Sequence, residues 1–114
     1  MSDTYLDEAL FEELRSILDT EFPALINTYI QDSAVRVADI RAAFAADSAD
    51  GVRKAAHSLK GASANLGLVY LAEQCRELED AAREGSLAGQ AGRVEQVGQE
   101  RERAVALLQA RLQA

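Results

Sequence analysis

The sequence predicts an all-α protein, an antiparallel up-down four-helix bundle with a short additional N-terminal helix. Three observations carry this. Apolar residues recur at helical spacing along nearly the whole chain, no strand-like alternation runs beyond a few residues, and the breaks between periodic segments are short. Amphipathic helices joined by short connections can bury their stripes only against one another. At 114 residues the chain is expected to form a single stand-alone domain over residues 1–114.

The first helix is expected over residues 7–18, with Leu10, Leu14 and Ile17 on one side. A long second helix begins near Thr20. Pro23 lies in its first turn, where a missing N–H costs little, and Ile26, Ile30, Ser33, Val37, Ile40 and Phe44 form its stripe. "ADSADG" then interrupts the pattern, and Asp47 serves as N-cap with Asp50 three residues on. A third helix over residues 48–66 ends at Gly67, a favoured residue just past a helix. The fourth, residues 68–84, carries Leu71, Cys75, Leu78 and Ala82. The glycines of residues 84–92 mark a loop, and a last helix over 93–112 carries Val94, Val97, Ala104, Val105, Leu108 and Leu112. Gly98 weakens its first turns.

Composition excludes several classes. A formal net charge of −7 opposes nucleic-acid binding. No apolar run approaches the roughly 20 residues needed to span a bilayer, and Met1-Ser2-Asp3-Thr4 does not resemble a signal peptide. The single cysteine, Cys75, fits a core stripe and a reducing compartment, so a cytoplasmic protein is expected. One His and one Cys fall short of a zinc site, so no metal and no intrinsic cofactor are expected.

The charge is unevenly spread. Residues 51–72 contain no Asp or Glu but hold Arg53, Lys54 and Lys60, which makes this stretch +3 and leaves −10 for the rest. Inside it stands His57, the only histidine. At about 100° per residue, Val52, Ala55, Leu59, Ala62 and Leu66 share one sector, and His57 faces roughly the opposite way. Its wheel neighbours are Arg53, Lys54, Lys60, Gly61 and Ala64. Gly61 weakens its helix by about 1 kcal/mol relative to alanine, on a face where no packing asks for it. With Ala64 it clears space beside the imidazole. An exposed nucleophilic nitrogen, room for a partner and a nearby cation suit transient attachment of a phosphoryl group, whose negative charge Lys60 would offset.

"AAHSLKGASANLG" resembles the signature of the histidine-containing phosphotransfer (HPt) domain, H-x-L-K-G-x-x-x-x-[LF]-G, through His57, Leu59, Lys60, Gly61, Leu66 and Gly67. The resemblance implies a helical bundle that takes a phosphoryl group from a receiver-domain aspartate and passes it to another receiver domain. It makes His57 the phosphoacceptor, Lys60 the residue that stabilises the phosphoryl group and Gly61 a docking clearance. The partners implied are the receiver domains of a hybrid sensor histidine kinase and of a response regulator. The receiver would supply Mg²⁺ and the catalytic groups, so the chain itself is not expected to be an enzyme. The chain is expected to be a monomer that docks through Arg53, Lys54 and Ala64, with Leu25, Thr28 and Asp32 on the second helix. Some members place a glutamine near the histidine where Glu79 stands here, and a carboxylate aimed at a phosphoryl group would repel it.

Other readings are weaker. Ser58 and Ser63 lie in a regular helix rather than a nucleophile elbow, and the Gly-Ala-Ser run lacks P-loop spacing. A non-catalytic helical adaptor, with His57 incidental, is the alternative from a different class. A kinase dimerisation helix pair would carry an acidic residue and then a proline after its histidine, but Ser58 follows His57 and the only proline is Pro23.

Overall fold

The computed structural model describes residues 5–113; residues 1–4, including the start read above for a signal peptide, lie outside the described residues. The elements are α1 (Glu8–Leu18), a single 3-10 turn (Asp19–Glu21), α2 (Phe22–Ala45), α3 (Ala49–Asn65), α4 (Val69–Arg83) and α5 (Ala91–Gln113), with no strand among the described residues. Helices α2 to α5 form a ring in which each packs on its two neighbours, while α1 lies against the start of α2. Connections of three residues at 46–48 and 66–68 force α3 and α4 to reverse direction. The contacts agree, since Tyr29 meets Ser63 near one end of the α2–α3 pair and Ala43 approaches Gly51 near the other.

The stripes expected for α2 and α4 form the core, with differences at the margins. Ile26, Ser33, Val37 and Ile40 are buried, as are Leu71, Cys75, Leu78 and Ala82, whereas Ile30 and Phe44 are only half-buried. On α3, Val52, Ala55, Leu59 and Leu66 are buried together with Ala56 and Ser63, while Ala62 stays half-buried. The seam is therefore rotated slightly from the expected sector. Along α5, Val94, Val97, Ala104 and Leu108 are buried, but Val105 and Leu112 reach only its margin.

Four local expectations are corrected. In α1 the buried residue is Phe11, set edge-to-face on Phe22 with ring centroids 5.2 Å apart, and Ile17 is 69 % exposed. The short helix covers the end of the bundle with one aromatic instead of contributing a full stripe. The N-cap of α3 is Ser48, whose Oγ accepts from the Gly51 N–H at 3.1 Å, and not Asp47, which has φ 54. Asp47 is spent on turning the chain in a left-handed conformation, which short polar residues tolerate. Helix α5 starts at Ala91, inside the expected loop, and Gly92 falls in its first turn. Gly98 is buried and lets the Arg41 guanidinium lie against the α5 backbone, so it serves packing.

Gly67 ends α3 as expected. Its φ of 82 closes a Schellman motif, with Leu68 N–H donating to Ser63 O at 3.0 Å and Gly67 N–H to Ala64 O at 3.0 Å. Its own carbonyl accepts from the Asp7 N–H at 2.7 Å, which ties the N-terminal segment to the α3–α4 turn. A Cβ there would lie 3.0 Å from the Asp7 carbonyl oxygen. Gly67→Ala is expected to lower unfolding free energy by about 1–3 kcal/mol, through left-handed strain and crowding of that segment. Urea denaturation measures it, and an unchanged midpoint would contradict the account.

Candidate functional site

The wheel puts His57 on the outer face of α3, and the structure places it there with 64 % of its side chain exposed. One edge of the ring is engaged. Nδ1 lies 2.8 Å from Oε2 of Glu79 on α4. A carboxylate oxygen only accepts, so Nδ1 is the protonated nitrogen and donates. The lone pair of the neutral ring is then on Nε2, away from the carboxylate. Residues 22 apart in sequence meet because α3 and α4 are adjacent antiparallel helices.

Glu79 is buried, with 3 % of its side chain exposed, and three groups surround its carboxylate. Besides His57 on Oε2, Lys60 Nζ sits 2.7 Å from Oε1, and Arg83 Nη2 donates to Oε2 at 3.0 Å. A buried carboxylate without such partners would be severely destabilised. Burial pushes its proton affinity up, but the Lys60 ammonium and the His57 N–H outweigh burial and hold the carboxyl below its ordinary value of 4.5. Sequence reasoning left Glu79 without a role and noted that a carboxylate aimed at a phosphoryl group would repel it. The structure aims it at Nδ1 of His57. Arg83 was missed altogether; its only signal was its i+4 spacing from Glu79.

The basic island is less free than its composition implies. Lys60, half-buried, pairs with Glu79, while Arg53 and Lys54 pair with Asp50 at 2.7 and 3.1 Å. Asp50 lies one residue outside the acid-free stretch and faces back along α3. These two hydrogen-bonded cations hold its carboxyl below the usual range. Cys75 is fully buried on α4, and burial pushes its thiol up to about 12, so it is unreactive packing.

Gly61 is exposed, and a Cβ built there meets nothing within 4 Å. Ala64, one turn on, is exposed as well. Beside them the α2–α3 groove widens into a mostly apolar cleft of about 400 Å³, lined by Leu14, Leu25, Thr28, Tyr29, Asp32, Ala62, Asn65 and Leu66. Leu25, Thr28 and Asp32, singled out from sequence, are thus brought together on it, while Leu14 and Asn65 were not foreseen. Tyr29, one of its lining residues, pairs its hydroxyl with that of buried Ser63 at 2.8 Å, which no local pattern announces. Among the described residues no cluster of His, Cys, Asp or Glu could hold a metal ion, and no helix is long and apolar enough to cross a membrane.

Comparisons with known proteins bear on the family and the fold. The Hpt domain family model matches residues 24–114. The fold superimposes with a TM-score of 0.92 on the crystal structure of histidine-containing phosphotransfer protein B (HptB) from Pseudomonas aeruginosa PAO1, at 36 % sequence identity over 98 % of this chain and 97 % of that one. No curated protein sequence matches.

Because its folded-state proton affinity is depressed, Glu79 contributes stability that is complete above its unfolded value, near 4.5, and is lost as pH falls through the lower folded one. The stability difference between wild type and Glu79→Gln is therefore expected to shrink on acidification below that value. Denaturation across a pH series measures it, and a difference independent of pH would contradict the assignment.

Proposed function

The chain belongs to the Hpt domain family and is a histidine phosphotransfer intermediate of a phosphorelay, and on that premise we propose that His57 carries the phosphoryl group. The observation that supports this is the ring's arrangement: Nδ1 engaged by a buried carboxylate, Nε2 left on the exposed side of α3. In a transfer from a receiver, the Nε2 lone pair attacks the phosphorus of the aspartyl phosphate. The P–O bond breaks and its electron pair leaves on the receiver carboxylate. Such chemistry needs positioning and charge neutralisation more than bond-making groups on the carrier, and in this reading the receiver supplies both Mg²⁺ and the aspartate. The chain acts as a carrier and not as an enzyme in its own right.

Lys60, three residues on along α3, is the cation that shares the Glu79 carboxylate with His57 from the same helix. Its pairing with Glu79 in the unloaded protein keeps it beside the site until a phosphoryl group competes for it. Docking in this reading uses the smooth face at Gly61 and Ala64 and the adjoining cleft with Leu25, Thr28 and Asp32. Arg53 and Lys54, paired to Asp50, border the face and contribute less net charge than the sequence implies. The partners are receiver domains of a hybrid sensor histidine kinase and of a response regulator. The carrier is a cytoplasmic monomer that must release each partner, so a modest interface serves.

The protein is expected to take phosphoryl label from phosphorylated receivers of its own cell as an acid-labile, alkali-stable adduct that is absent in His57→Gln. Acid-stable label, or label that survives the substitution, would overturn the assignment.

Gly61→Gln separates folding from docking. It is expected to raise stability by up to about 1 kcal/mol, because a side chain there meets only solvent. Transfer from receivers is expected to fall about tenfold or more, equivalent to a docking penalty of about 1.4 kcal/mol. Loading from phosphoramidate, which needs no docking, should change much less. Normal receiver transfer in this variant would show that the glycine is no clearance.

A further inference from the structure

We propose that Glu79 keeps the proton on Nδ1 of His57 through the phosphorylated state, and so makes the loaded ring a competent phosphoryl donor. The inference rests on the reading of His57 as phosphoacceptor and concerns what happens after loading.

The chemistry follows from the two ring nitrogens. In the unloaded protein Nδ1 donates to Glu79 Oε2 at 2.8 Å, and Nε2 holds the lone pair. When that lone pair forms the N–P bond and the Nδ1 proton stays, the ring becomes an imidazolium. Onward transfer breaks the N–P bond and returns its electron pair to Nε2, while a P–O bond forms to the acceptor. From the imidazolium, the departing group is a neutral imidazole. Had the Nδ1 proton been lost, the departing group would be an imidazolate anion, which leaves far less readily. Whether the loaded ring can give up its cargo therefore turns on one proton.

The structure sets one carboxylate directly against that proton. Glu79 faces Nδ1 directly, and its buried carboxylate is ionised in the folded protein. An opposite charge at hydrogen-bond distance favours the protonated ring. The cations on the neighbouring helices are turned to other partners: Lys60 of α3 and Arg83 of α4 bind Glu79 itself, and Arg53 and Lys54 of α3 bind Asp50. Arg83, on the same helix as Glu79, anchors the carboxylate at Nδ1 when Lys60 turns to the phosphoryl group on the far side of the ring. A neutral amide at this position would orient the ring as well, but it would hold the proton less firmly.

The test loads the full chain with phosphoramidate and follows loss of the phosphoryl group to water across a pH series, for wild type and Glu79→Gln. Glutamine keeps an acceptor for the Nδ1 proton and removes the charge. The wild type is expected to remain labile to a pH about one unit or more above the point where Glu79→Gln becomes inert, making the variant about tenfold longer-lived in alkali. Profiles that differ in height but not in position along the pH axis would overturn the proposal and leave Glu79 an orienting residue only. A wild-type chain that takes no label on His57 would instead overturn the phosphoacceptor reading. Should Glu79→Gln not fold, long-range proton–nitrogen spectra of the loaded wild type decide the matter. Nδ1 is expected to stay protonated into alkali, beyond the point where a loaded histidine in an unfolded peptide loses its proton, and loss at the same pH would overturn the proposal.

Discussion

A buried carboxylate on α4 organises the face that carries His57. Glu79 leaves water to sit between two helices, a transfer that costs several kcal/mol unless the charge is met on arrival. It is met by Lys60 and His57 from α3 and by Arg83 from its own helix. The two contacts from α3 require α3 and α4 to lie side by side in one register. The Schellman turn at Gly67 provides this by sending the chain straight from one helix into the other. The same carboxylate that needs satisfying also fixes which ring nitrogen faces outward. Packing and chemistry are thus set by one constraint.

The rest of the molecule keeps that outer face clear. The apolar stripes of α2 to α5 close on one another and leave α3 with one face for the core and one for solvent. Helix α1 closes the end of the bundle with Phe11 and is tied down by Arg111, which reaches both Glu8 and Glu12. Because Leu14 of α1 lines the cleft between α2 and α3, this cap also shapes that cleft. Residue 24, where the family model begins, lies beyond α1, so this wall of the cleft is outside the matched segment.

The architecture was legible wherever a stripe buries a continuous face. The periods of α2 and α4 and the glycine stop of α3 appear in the structure as the residues imply. Helix α1 was misread because a short cap buries one aromatic, and the Leu10, Leu14, Ile17 pattern contained no sign that Phe11 would be the anchor. Asp47 looked like a cap because cap and left-handed turn favour the same short polar residues, and only backbone geometry separates the two. The juxtaposition of His57, Lys60 and Gly61 was legible because they lie within about one turn of a single helix. Glu79 was not assigned, since its meaning comes from His57, 22 residues away, and from burial that a charged residue does not advertise, and Arg83 matters only through Glu79. The +3 stretch overstated the free charge because Asp50 folds back on it from just outside.

The most direct test of this account is the site of attachment on the ring. Phosphorus–nitrogen correlation spectra of the loaded, folded protein distinguish the two possible isomers. The carboxylate of Glu79 on Nδ1 predicts phosphorus bonded to Nε2 of His57, with Nδ1 still bearing its hydrogen. Phosphorus on Nδ1, or on any other residue, would contradict it.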